Sequence, residues 1–148
     1  MVSDKALGAA HVREFINEIL EPLGFLAWKP GNKAIWIRSK DGKMRPISQS
    51  QDIFELADIA AMRQDAPFLL IQCTTETSQL MSERRLKFNE KIKYINLAAT
   101  ACIVAGRIHG KKEWRIDVLM GHENSWSSKV ISVKEKEGFD TIVNNYMG

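Results

Sequence analysis

Leu56-Ala57-Asp58-Ile59-Ala60-Ala61-Met62 and Phe68-Leu69-Leu70-Ile71-Gln72-Cys73-Thr74-Thr75 are the stretches that decide the fold. Each is short and almost wholly apolar, the pattern of a buried β-strand. The residues between them, Arg63 to Pro67, are enough for a hairpin loop, so the strands should run antiparallel. Paired residue numbers then have a constant sum: Met62 opposes Phe68, Ala60 opposes Leu70, and Asp58 opposes Gln72. Directly opposed side chains lie roughly 5 Å apart at Cβ, and alternation puts Gln72 and Thr74 on the face of Phe68 and Leu70. An acid and a carboxamide thus stand side by side in apolar surroundings. An unsatisfied buried polar group costs roughly 1–3 kcal/mol, so the pair needs partners. A divalent metal is one candidate. A bond between the two, or to a nearby threonine, is the other.

Outward from the hairpin, the chain reads as a single domain over residues 1–148, with no repeat, low-complexity tract or dividing linker. A helix should begin at Ser3 or Asp4, bury Val12, Phe15, Ile16, Ile19, Leu20 and Leu23 on one face, and stop at Gly24. Phe25 to Trp28 and Ala34 to Arg38 read as short strands with a turn at Pro30-Gly31-Asn32, followed by a tight Asp41-Gly42 turn. Gln49 to Ile53 is polar and irregular. Beyond Thr75 the period changes to helical, from Ser78 or Ser82 to Ala98. One stripe is apolar (Met81, Phe88, Ile92, Ile95, Ala99) and its neighbour carries Arg84, Lys87, Lys91 and Tyr94. Strands follow at Ala101 to Ile108 and Glu113 to Met120 around a His109-Gly110 turn, then at Lys129 to Val133, with a terminal helix from Gly138 to Tyr146. That order predicts an α/β domain with a mixed sheet covered by helices.

Composition is ordinary for a globular chain, with 45% hydrophobic and 26% charged residues. Lys and Arg number 21 against 18 Asp and Glu, so the net charge of +3 does not by itself indicate nucleic acid. No apolar run reaches the roughly 18 residues of a membrane span, and no signal-peptide core is present. A cytoplasmic protein without a membrane partner is expected. Cys73 and Cys102 both lie in apolar strands and read as small hydrophobes in a reducing compartment, with a disulfide between adjacent strands as the lesser alternative.

The hairpin resembles the PD-(D/E)xK superfamily, the restriction-endonuclease-like and Holliday-junction-resolvase-like nucleases. There an Asp on one strand and a Glu-x-Lys on its partner hold magnesium and a catalytic lysine. Asp58 matches the Asp, Gln72 stands at the Glu and Thr74 at the Lys. The resemblance extends loosely from the first helix to Trp114. It implies a restriction-endonuclease-like fold and a divergent metal-dependent nuclease, resolvase-like in kind, acting on DNA phosphodiester bonds. Asp58, the Gln72 amide and the Cys73 carbonyl would hold Mg2+ or Mn2+, weakly, because Gln72 contributes no charge. Lys87 or Lys91 would replace the lysine missing at Thr74, and Glu14 on the first helix would supply a further acid. A homodimer is implied as well. The alternative is a catalytically inactive relative that binds DNA or protein, which the departures at Gln72 and Thr74 favour.

Each of these residues also has an ordinary explanation. Asp58 could cap a backbone amide at a strand start, the lysines could belong to a solvated helix face, and Glu14 or Glu18 could be surface acids. Lys29, Lys33, Arg38, Lys40, Lys43 and Arg45, with Trp28 and Trp36, form a basic stretch that could track DNA phosphates, with Arg84 added from the helix, or simply keep a hairpin soluble. Trp114 and Trp126 read as core or subunit anchors. His11, His109 and His122 lack metal-ligand spacing, and there is no phosphate-cradling glycine loop or nucleophile elbow.

Overall fold

The computed structural model describes residues 4–30, 32–38, 40–50, 52–54, 56–120 and 125–147. Helix α1 (Asp4–Phe15) runs on into one π-helical turn, Ile16–Leu20. Its apolar stripe buries Phe15, Ile16, Ile19 and Leu20 as the sequence predicts. Gly24, at φ +87°, then turns the chain; this left-handed backbone is one that glycine adopts without a Cβ clash. Ser3, one of the two expected caps, lies outside the described residues.

Strands β1 (Leu26–Trp28), β2 (Asn32–Arg38), β3 (Met44–Ser50), β4 (Ile59–Met62) and β5 (Phe68–Thr75) precede helix α2 (Ser78–Lys91). Strands β6 (Thr100–Arg107), β7 (Glu113–Met120) and β8 (Ser125–Ser132) and helix α3 (Glu137–Met147) follow. The fold is α/β. A six-stranded sheet has the order β1-β4-β5-β6-β7-β8, and β2 and β3 form a separate two-stranded sheet. Within the large sheet β5 and β6 are parallel and every other neighbouring pair is antiparallel. The parallel step needs a crossover, and α2 supplies it.

Alternation along the strands divides the core in two. Ile59, Leu69, Ile71, Cys73, Ile103, Trp114 and Ile116 pack on one face with Phe15 and Ile19 of the first helical segment and Phe139 of α3. Leu70, Cys102, Val104 and Leu119 pack on the other with Met81 and Phe88 of α2. Cys73 and Cys102 are therefore buried free thiols on opposite faces, which rules out the disulfide alternative. Burial pushes the Cys102 thiol up to about 12.

Several boundaries differ from expectation. Helix α2 ends at Lys91, with a 3-10 turn over Ile92–Tyr94, instead of continuing to Ala98. There Ala98 N–H donates to the Asn96 side chain at 3.2 Å, a local bond that competes with helical pairing. Gln49 and Ser50 are paired strand residues of β3, not irregular chain, because β2 supplies their backbone partners. Strand β1 pairs with β4 and not with β2, and β8 is longer than expected, pairing with β7 along its length.

Helix α2 sits close to β6 because Gly106 lacks a side chain. A Cβ there would lie 2.5 Å from Met81 Sδ and 3.1 Å from Glu76 Cα. Gly106→Ala should therefore lower stability by about 1–3 kcal/mol through overpacking, read as an earlier urea midpoint. An unchanged midpoint would mean that α2 can lift from the sheet at no cost.

Candidate functional site

The register of the central hairpin is the one the sequence dictates: Ile59 pairs with Ile71, Ala60 with Leu70 and Ala61 with Leu69. The paired register stops at Ile59, so the expected pairing of Asp58 with Gln72 does not continue it; Asp58 bonds to Ile71 instead. Asp58 stands just before β4 begins, with its N–H donating to Ile71 O at 2.8 Å. Its Oδ2 accepts from Cys73 N–H at 2.8 Å. The carboxylate thus satisfies a strand amide that the backbone of β4 does not reach, which is the capping role the sequence left open.

Gln72 is fully buried. Its Nε2 donates to Leu56 O, and its Oε1 accepts from Arg84 Nη1 at 3.4 Å. Helix α2 runs back over β5, so its basic stripe descends along this hairpin. Arg84 meets Gln72, and one turn later Lys87 Nζ lies 4.0 Å from Asp52 Oδ2. Lys91, a turn further, lines a groove with Leu56 and Leu70. Thr74, in the position of the family's lysine, is buried.

Burial raises the Asp58 carboxyl from its ordinary 3.8 to about 6. The Cys73 amide bond opposes that rise, the nearby Asp52 charge adds to it, and the Arg84 and Lys87 charges pull the other way. A carboxyl held this far from its normal range by burial, with two cations near it, makes Asp58 a candidate site residue. Comparison with protein-family models, curated proteins and solved structures gives no match to this chain.

The donor set does not suit magnesium. A magnesium ion asks for several hard oxygens in near-octahedral array. Here the Gln72 oxygen faces a guanidinium, and one oxygen of Asp58 is held by an amide. Among the described residues no three His, Cys, Asp or Glu side chains come together as metal ligands.

Glu14 is not part of this cluster. It lies on the opposite face of the sheet, where its Oε2 accepts from Arg107 Nε at 3.2 Å and its Oε1 is 3.3 Å from His11 Nδ1. His11 Nε2 is in turn 3.1 Å from Thr75 Oγ1. The helix acid was expected to join Asp58, but Arg107 of β6 and His11 of its own helix engage it near Thr75. His11, to which the sequence gave no reason for a role, is buried in that network, and His109 lines the adjoining cavity of about 400 Å³. His122 lies outside the described residues.

Of the expected DNA-contacting residues, Arg38, Lys40 and Lys43 are exposed around the β2–β3 turn. The side chains of Lys33 and Arg45 lie outside the described residues. Arg84 is turned inward onto Gln72 and so does not stand out as a surface phosphate contact. The sequence reading also missed Asp117, a 1% exposed acid on β7 held by Arg85 and Arg115. The signal was present in Trp114-Arg115-Ile116-Asp117-Val118-Leu119: alternation buries the acid on the α2 face, and a buried charge requires a cation.

Proposed function

We propose that the chain is a divergent nuclease-like domain that binds the DNA phosphodiester backbone beside the Asp58 hairpin and does not cut it. One observation carries this reading. Lys87 of α2 brings positive charge to the hairpin that carries Asp58 and Gln72, and Arg84 occupies the amide oxygen that a metal would use. The restriction-endonuclease-like assignment is supported by the mixed sheet flanked by helices, with the acid-bearing hairpin inside it and a helical crossover to a parallel strand. The exposed Arg38, Lys40 and Lys43 would extend the phosphate track.

A second reading, cleavage of DNA with Mg2+ or Mn2+, draws support from Lys87. It approaches Asp58 from the helix, where a lysine displaced from Thr74 could act. A homodimer presenting two sites to duplex or branched DNA belongs with either reading.

Fluorescence anisotropy with duplex, branched and single-stranded DNA across a salt series tests the proposal. Binding should weaken steeply with salt, by about 0.9 in logarithmic slope per phosphate neutralised. Lys87→Ala should lower that slope by about 1, with no strand cleavage in magnesium or manganese. Absence of binding at low salt rejects the proposal, and cleavage that is lost in Asp58→Ala establishes the second reading in its place.

A further inference from the structure

Next to the Asp58 site lies an apolar groove of about 770 Å³. Leu56, Phe68 and Leu70 form one side, Tyr94 and Ile95 the other, and Phe54 its rim. Its size falls within the roughly 300–1,000 Å³ of sites that take ring-bearing ligands. The groove is continuous with the polar site: Leu56, which lines it, supplies the carbonyl that holds Gln72, and Lys91, which also lines it, is one helical turn beyond Lys87.

Three observations separate it from an incidental hollow. Phe54 has φ +54°, a left-handed backbone unfavourable for any residue with a Cβ, and its ring is 83% exposed. Strain that delivers an aromatic ring to water does not serve packing, and such strain concentrates where ligands bind. Tyr94 is 75% exposed, with the Lys93 ammonium 5.2 Å from its ring centroid, so it too is offered to solvent. Finally, Lys91 lines the groove, Lys87 stands one helical turn before it beside Asp52, and Lys93 lies against the Tyr94 ring. Exposed aromatic rings interleaved with cations suit a polyanion whose flat apolar faces are accessible.

We infer that this groove seats unpaired bases of single-stranded DNA, stacked on Tyr94 and Phe54, with Lys87, Lys91 and Lys93 facing the phosphates. The inference rests on the proposed binding of DNA beside Asp58 and adds the strand state of the ligand. Bases inside a duplex have their faces covered by neighbours and cannot use such rings. Stacking tolerates every base, so the groove favours single strands over duplex without reading sequence.

The test is anisotropy of the full chain with a labelled oligothymidylate and with a duplex of equal phosphate count. The oligothymidylate should bind more tightly. Tyr94→Ala and Phe54→Ala should each weaken it by about tenfold, with duplex affinity and salt slope unchanged, and Tyr94→Trp should keep the wild-type affinity. Both rings are exposed, so circular dichroism should show every variant folded. DNA binding that persists with undiminished single-strand affinity in both alanine variants overturns the inference alone. Absence of binding to either DNA overturns it together with the reading of the Asp58 site. A shift in self-association on Tyr94→Ala, with DNA affinity unaltered, assigns the groove to a protein partner and likewise overturns it.

Discussion

Replacing Arg85 and Arg115 together by alanine should destabilise the domain by about 3–5 kcal/mol, the range for stripping the partners from a buried charge. Asp117 is 1% exposed, and its two oxygens are held by Arg85 Nη1 and by Arg115 Nε at 3.0 Å. Arg115 also approaches Glu76 at 3.6 Å and donates to Ser128 on β8. The arginines are about a quarter exposed, so each can hydrate if released, whereas the acid cannot. The effect is therefore asymmetric. Either single arginine replacement should cost less than half of the double, because one cation still faces the carboxylate. Urea midpoints at constant m-value provide the measurement. Additive single effects of under 1 kcal/mol would show that Asp117 reaches water or takes up a proton.

Asp58→Asn should raise stability at pH 7 by up to about 3 kcal/mol, since each pH unit of displacement corresponds to about 1.36 kcal/mol. The folded carboxyl is raised from 3.8 to about 6, chiefly by burial, so folding favours its protonated form. The associated stability is fully present below about pH 3.8. It declines as pH rises through about 6 and is absent above. Asparagine keeps an acceptor for Cys73 N–H but carries no charge. The variant should match the wild type near pH 4 and exceed it near pH 7, with a flatter pH profile between. Equal denaturation midpoints at both pH values would mean that the ionised acid is well solvated.

The parts of the fold legible in the sequence were those set by near neighbours. The register of β4 with β5 followed from a short loop and constant sums, and the buried stripe of α1 followed from spacing alone. The β6–β7 turn at Gly110 announced itself in the same way. What escaped was a polar strand and a helix end in the secondary structure, and at the site the contacts between segments distant along the chain. The polar β3 is a strand because the adjacent β2 pairs with it, and beyond Lys91 the chain makes only a 3-10 turn before Asn96 bonds the Ala98 amide. At the candidate site, the pairing of β4 with β5 beside Asp58 was readable. The true partners of Asp58 and Gln72, the Cys73 amide and the Arg84 guanidinium, required knowing how α2 lies over β5. Glu14 was misplaced for the same reason: its helix and Arg107 meet only in the folded chain.

Consecutive residues of α2 grip opposite flanks of the sheet, Arg84 toward β5 and Arg85 toward β7, as the 3.6-residue turn requires. The helix is thereby braced against rotation about its own axis: rolling either way would pull one guanidinium off its acceptor. Gly106 lets Met81 lie close against β6, which seats the helix on the strand. The face of α2 that carries Lys87 and Lys91 is consequently set by two guanidiniums and not by apolar packing alone.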